Sequence, residues 1–231
     1  MAYILGFVTA DGNILKRKGR KNSYVFNITS KDREHLKNIA DNLGPNIKLG
    51  LKGNGSSKIK NCSYFQLCNR QMCLDLIDLG IVPRKTYSLV MPQIPEEYFA
   101  DYVRGFFDGD GSVYIYSVNN TPQIKSEFVC CSQNFINEFN RRLCKYLNIP
   151  CKNIHVENLE DEVRLPLYSI CFYVDDSKKL AELMYGSNPS LFLPRKRDLF
   201  EKWMTTKRRG YKKVDYPSKI GWQLKPNNVN L

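Results

Sequence analysis

Two aspartates stand at matching places in two copies of one short pattern. The copies are Tyr3-Ile-Leu-Gly-Phe-Val-Thr-Ala-Asp-Gly12 and Tyr102-Val-Arg-Gly-Phe-Phe-Asp-Gly-Asp-Gly111, so that Asp11 and Asp110 each precede the closing glycine. If each decamer is a helix ending at that glycine, both acids sit at the negative end of a helix dipole, which costs up to about 1 kcal/mol apiece. A cation must compensate. Hard divalent ions such as Mg²⁺ suit two carboxylates together with phosphate oxygens, and metal-assisted phosphodiester hydrolysis needs that constellation. An Asp-Gly pair after an apolar helix is also a common turn. Its recurrence in a duplicated frame is what favours the chemical reading.

The elements that must hold these acids can be read from the surrounding residues. Gly6 and Ala10 share one helix face, as do Gly105 and Gly109, and small residues at that spacing let two helix backbones approach closely. The paired helices are therefore expected where two halves meet, with Ile4, Phe7 and Val8 entering one core and Val103, Phe106 and Phe107 another. Gly12 and Gly111 are expected in the left-handed conformation that ends many helices.

The repeat runs further. Phe26-Asn-Ile-Thr-Ser30, followed by an amphipathic stretch through Leu36, Ile39 and Leu43, is answered by Phe128-Val-Cys-Cys-Ser132 and a stretch through Phe135, Phe139, Leu143 and Leu147. Alternating runs follow from Tyr64 to Cys68 and from Tyr168 to Tyr173, and Pro83-Arg-Lys85 is matched by Pro194-Arg-Lys196. Each half thus reads as helix, two strands, helix, two strands, helix, an α+β arrangement. Met91 to Glu97 carries two prolines, with Pro95 before two acids as a helix start. The expected division is a half over 1–92, a half over 93–206, and a basic tail over 207–231 that begins Lys207-Arg208-Arg209 and is expected at the surface.

Composition narrows the partners. Of 231 residues, 35 are Lys or Arg against 23 acids, a formal charge of +12, while 42% are hydrophobic. Such a chain is globular with a cationic surface, and a polyanion is the expected partner because neutralised phosphates release counterions. No apolar run reaches the roughly 20 residues needed to span a bilayer. Without a secretory leader pattern at the N-terminus, an intracellular, reducing compartment is expected and no membrane association. The 8 cysteines include no C-x-x-C pair and there are only 2 histidines, so a zinc site is not indicated. The cysteines lie among aromatic and aliphatic residues and are expected as small buried hydrophobes.

These residues make the chain resemble the LAGLIDADG homing endonucleases, in the single-chain form with two motifs: Ile4 to Gly12 and Val103 to Gly111 fill the nine motif positions. The resemblance implies a pseudo-twofold, duplicated αββαββα fold. Its motif helices would lie at the interface and its two antiparallel sheets would form a DNA-binding saddle, the whole acting as a monomer. It implies cleavage of both strands of a long double-stranded DNA target across the minor groove, leaving short 3′ overhangs, with an intron as the expected setting of the gene. Asp11 and Asp110 are then the metal ligands, with Ala10 and Gly109 beside them in the metal set. Mg²⁺ is the expected ion; Mn²⁺ would substitute for it, and Ca²⁺ would bind without supporting cleavage. Lys85 and Lys196 are candidates for a basic group near each scissile phosphate, the alternative being surface cations that cap carbonyls. Ser30 and Ser132 are candidates for positioning the water network.

Outward-facing strand residues would read base edges in the major groove. By alternation the candidates are Arg17 and Asn27 in the first half and Tyr114 and Tyr116 in the second, with Lys48, Lys52, Lys58 and Lys60 as phosphate anchors. The motifs also depart from each other. Thr9 stands where Asp108 does in the second copy, and Arg104 is expected to pair with Asp108 at i+4, so the two sites are expected to be unequal. Two rival functions share the scaffold: an RNA maturase acting on a host intron, and a DNA-binding regulator that has lost cleavage. Retention of both acids favours the nuclease.

Overall fold

The computed structural model describes residues 1–17, 19, 23–53, 61–157 and 166–206. Lys58, Lys60 and the tail over 207–231 lie outside the described residues. The first half runs α1 (Ala2–Asp11), β1 (Gly12–Lys16), β2 (Tyr24–Ser30), α2 (Arg33–Leu43), β3 (Gly50–Lys52), β4 (Cys62–Leu67) and α3 (Arg70–Asp78). The second repeats the order with α4 (Glu96–Asp110), β5 (Gly111–Val118), β6 (Thr121–Cys130), α5 (Gln133–Leu147), β7 (Ile154–Glu157), β8 (Leu167–Tyr173) and α6 (Val174–Tyr185). It then adds α7 (Pro194–Thr205), which the strict repeat does not contain. The difference begins at the matching prolines. Pro194 occupies the first turn of a helix, where its missing N–H costs nothing. After Pro83 the chain turns instead, because Arg84 takes a left-handed φ of 61° that a helix cannot continue.

Each half forms a four-stranded antiparallel sheet, ordered β1-β2-β4-β3 and β5-β6-β8-β7. Alternation sets the faces. Ile14, Phe26, Ile28 and Phe65 turn inward against Leu36 and Ile39 of α2 to make the first core. In the second, Phe128, Ile170 and Phe172 meet Phe135 and Phe139 of α5 and Phe106 of α4. Ring centroids there lie as close as 4.9 Å (Phe106 to Phe135, Phe128 to Phe139), a spacing that adds edge contacts to simple burial.

Helices α1 and α4 join the two cores, which explains why α1 buries Tyr3, Ile4, Phe7, Val8 and Thr9 and has no polar face. Backbone meets backbone at this crossing. A Cβ placed on Gly6 would lie 2.1 Å from the Tyr102 carbonyl oxygen, and one on Gly105 would lie 1.9 Å from that of Tyr3. Gly109 rests against Ala10, whose Cβ would be 2.2 Å from an added one.

The closing glycines serve a different purpose from the one expected. Gly12 has φ −74° and Gly111 φ −80°, both extended rather than left-handed, because each helix passes straight into a strand with no loop between. Glycine is needed for space: a Cβ on Gly12 would be 2.6 Å from the Val8 carbonyl oxygen, and one on Gly111 would be 2.3 Å from the Phe107 ring.

All eight cysteines are free; five are buried, Cys131 is half-buried, and Cys68 and Cys151 are exposed. Among the described residues no helix is long and apolar enough to cross a membrane.

Candidate active site

The ends of α1 and α4 bring Asp11 and Asp110 to the junction between the two sheets. Asp11 lines a cleft of about 290 Å³ with Thr29, Ser30, Asp32, Cys62, Asp108 and Arg195 among its walls. The carboxyl of Asp11 is pushed up to about 7, first by loss of hydration within the cleft and then by the charge of Asp110, against the pull of Lys196 and Lys85. Asp110 is likewise raised, by burial first, with the same two lysines opposing. Two cations nearby therefore do not suffice to hold this pair of acids comfortably charged.

The sign of the effect on folding follows. Since the folded chain keeps the Asp11 proton up to about 7 and the usual value is 3.8, stability falls as pH rises through that interval. Thermal melts from pH 4 to 7 are expected to show Asp11→Asn gaining on the wild type as pH increases. Parallel curves would mean that the carboxyl is not strained in this way.

Both candidate lysines are buried, with exposures of 9% for Lys85 and 4% for Lys196, and neither is the surface cation of the alternative reading. Each nonetheless caps carbonyls at the end of a motif helix. Lys85 Nζ donates to the Ala10 carbonyl at 2.9 Å. Lys196 Nζ donates to those of Phe107 at 2.6 Å, Asp108 at 2.8 Å and Gly111 at 2.5 Å, with Gly109 at 3.5 Å. Burial lowers both ammonium groups, Lys196 to about 8. Positive charge at a helix C-terminus offsets the dipole that Asp11 and Asp110 aggravate. The carbonyls of Ala10 and Gly109 are thus already engaged by lysines.

The two serines part company. The hydroxyl of Ser30 accepts from the Asp32 backbone N–H at 3.1 Å and lines the cleft. Ser132 is buried: it donates to the Leu89 carbonyl at 2.6 Å and caps α5 by accepting from the Phe135 N–H at 3.3 Å. The register explains this, since Ile28 and Phe128 face Gly12 and Gly111 respectively. The true counterpart of Ser30 is Cys130, and that of Ser132 is Asp32. A fully occupied helix cap such as Ser132 has no route to a water network.

Arg104 also departs from expectation. It pairs with Asp101 at 2.6 Å and donates to the carbonyls of Met184 and Leu191, with its guanidinium 5.1 Å from the Tyr3 ring centroid. Asp108 instead accepts from the Tyr3 hydroxyl at 2.7 Å and the Leu193 N–H at 2.8 Å. The i+4 pair does not form because the Arg104 guanidinium is taken up by Asp101 and the Met184 and Leu191 carbonyls, while Asp108 Oδ2 is taken up by the Tyr3 hydroxyl and the Leu193 N–H.

Around this centre the outward faces of the sheets carry polar rows. The first row beyond Asp11 is Asn13, Asn27 and Gln66, side by side on β1, β2 and β4. The first beyond Asp110 is Ser112, Glu127 and Cys171. Of these, alternation within single strands points only to Asn27; Asn13, Gln66 and Glu127 emerge from the pairing. Tyr114 pairs with Lys125, whose Nζ lies 5.6 Å from its ring centroid, and the Tyr116 ring lies 6.1 Å from that of Tyr114, tilted by 53°. Arg17 is exposed just past β1 and donates to the Cys68 sulfur at 3.0 Å. Lys48 and Lys52 are both exposed.

No cluster of three or more His, Cys, Asp or Glu side chains able to hold a metal occurs among the described residues. What the cleft offers is Asp11, within reach of the Asp110 charge, together with two buried oxygens that have no hydrogen-bond partner among the described residues, Thr29 Oγ1 and Asp108 Oδ1. That all-oxygen, incomplete set fits an ion such as Mg²⁺, which keeps waters and substrate phosphates in its shell.

No family model and no curated protein matches the chain. Solved structures do. The LAGLIDADG homing endonuclease I-GzeII in complex with its DNA target aligns with a TM-score of 0.55 over 88% of each chain at 11% identity. The LAGLIDADG meganuclease I-AabMI bound to uncleaved DNA aligns at 0.54, covering 87% of this chain and 88% of the other at 15% identity. I-DmoI in complex with DNA and Ca aligns at 0.52, covering 87% of this chain and 96% of the other at 14% identity. The duplicated sheets and paired motif helices of this chain are the fold of the LAGLIDADG homing endonucleases.

Proposed function

We propose that the protein is a site-specific, divalent-metal-dependent DNA endonuclease that cuts both strands of a long target, leaving short 3′ overhangs. The observation that carries this reading is the pair Asp11 and Asp110, held together at the ends of two interlocked helices with carboxyls raised by burial. The structures of similar fold include complexes with DNA, and one with Ca. The halves 1–92 and 93–206 each deliver one acid. A divalent cation held there supplies Lewis acidity toward a phosphate oxygen and the leaving oxygen. The chain itself fixes the two acids, neutralises the helix ends through Lys85 and Lys196, and leaves Thr29, Ser30 and Asp108 in the cleft wall to order water. The charges of the same lysines act on both acids, and in this reading they also lower the cost of bringing a scissile phosphate beside them.

The outward rows, with Arg17, Tyr114 and Tyr116, face base edges in this reading. Carboxamides such as Asn13, Asn27 and Gln66 suit adenine, and a carboxylate such as Glu127 suits the cytosine amino group. Lys48 and Lys52 anchor phosphates, as would Lys58 and Lys60. Homing from within an intron is the biological role proposed.

Incubation with Mg²⁺ and a randomised duplex library tests the proposal. A discrete cut product carrying one enriched sequence is expected. No cut product together with tight binding of intron RNA would assign the fold to splicing, and sequence-selective binding without cleavage would assign it to regulation. Affinity for the selected duplex is expected to fall with salt, log K dropping by about 0.9 per phosphate contact for each decade. A complex indifferent to salt between 50 and 200 mM, measured by fluorescence anisotropy, would contradict a cationic DNA-binding surface.

A further inference from the structure

The two acids are not served alike, and the difference lies in Arg195. Its guanidinium grips Asp32 through Nε at 3.0 Å and Nη2 at 2.9 Å, crossing from the second half to the first at the mouth of the Asp11 cleft. Asp32 stands at the N-cap of α2, where an aspartate usually accepts from helix N–H groups. It makes no such bond, and both its oxygens go to the arginine. The side chain of Arg195 remains 59% exposed. Its Nη1 has no partner among the described residues, so a planar fork with free donors is held facing the cleft. Such a fork is suited to phosphate oxygens.

Among the described residues the other side has no equivalent. Arg84, the matching residue of Pro83-Arg-Lys85, is exposed, sits at φ 61°, and makes no hydrogen bond or ion pair among the described residues. The counterpart of Asp32 is Ser132, whose hydroxyl is spent on Leu89 and Phe135. An uncharged, fully engaged Ser132 cannot pin an arginine beside Asp110 as Asp32 does on the other side.

We infer that Arg195, pinned by Asp32, is a phosphate-positioning residue for one DNA strand only, the strand that enters the Asp11 cleft. The inference rests on the nuclease reading above. Its consequence is ordered cutting, in which the strand served by Arg195 breaks first.

The test uses the full chain and a duplex carrying the selected target, labelled on each strand separately. Arg195→Ala is expected to slow one strand, always the same one, at least tenfold while the other stays within twofold, so that nicked duplex accumulates. Arg195→Lys keeps the charge without the fork and is expected to recover only part of that rate. Asp32→Asn, which frees the arginine, is expected to give a smaller loss on the same strand, and Arg84→Ala no change on either. The salt slope of binding should fall by about 0.9 in Arg195→Ala, the loss of one phosphate contact. Equal slowing of both strands in step with a lowered melting temperature would make the pair a mere tie between halves and overturn the inference. So would unchanged rates in Arg195→Ala, or an effect of Arg84→Ala on the second strand. If the wild type cuts no duplex at all, the nuclease reading itself fails, and this inference with it.

Discussion

Asp11→Asn and Asp110→Asn are each expected to abolish double-strand cleavage while leaving DNA affinity intact or slightly raised. Loss of one preorganised electrostatic group costs catalysis about 10²–10³-fold, and a residue that also holds the metal should lie at or beyond the upper end. Stability should move the other way. Both carboxyls are raised despite Lys85 and Lys196, which means that the site as a whole disfavours their charge. An uncharged isostere removes that penalty, and relief of about 1 kcal/mol would raise Tm by about 2–4 °C in a chain of this size. Cleavage rates on the selected duplex and calorimetry on the same preparations check both parts. A variant that still cuts would remove its aspartate from the site.

The second large effect is structural. Gly105→Ala is expected to cost about 3 kcal/mol or more, the upper end of overpacking penalties, and to lower cleavage as well. The added Cβ would meet the carbonyl oxygen of Tyr3 at 1.9 Å and the backbone nitrogen of Phe7 at 2.9 Å, and backbone atoms cannot rotate out of the way as a side chain can. The helices must separate or slide, and the acids at their ends move with them. Urea denaturation with a loss below about 1 kcal/mol would show that the crossing is looser than its geometry implies.

Much of this was legible in the residues because the informative signals were local and duplicated. Two copies of the decamer, each followed by alternating and then helical periodicity, were enough to order fourteen of the elements named above. Nothing in the second Pro-Arg-Lys segment announces the start of a helix, since identical triplets diverge only through the φ of Arg84. Cross-strand neighbours were also hidden. Asn13 and Gln66 join Asn27 only through a register that depends on two loops, and Ser132 resembled Ser30 until the pairing showed it to be the counterpart of Asp32. The geometry of Lys85 and Lys196 followed the same rule: residue type announced a cation near the acids, while only the packing revealed the carbonyls it would cap.

The absence of any loop between Asp11 and Gly12, or between Asp110 and Gly111, leaves the chain no slack at its centre. One residue inserted at either step would turn the following strand over, sending Asn13 or Ser112 inward and Ile14 or Val113 into solvent. The span from each acid to the nearest outward row is therefore set by chain length and cannot drift. Retargeting such a scaffold must proceed by exchanging side chains on a fixed frame, and any change in length has to be confined to the hairpin tips away from the centre.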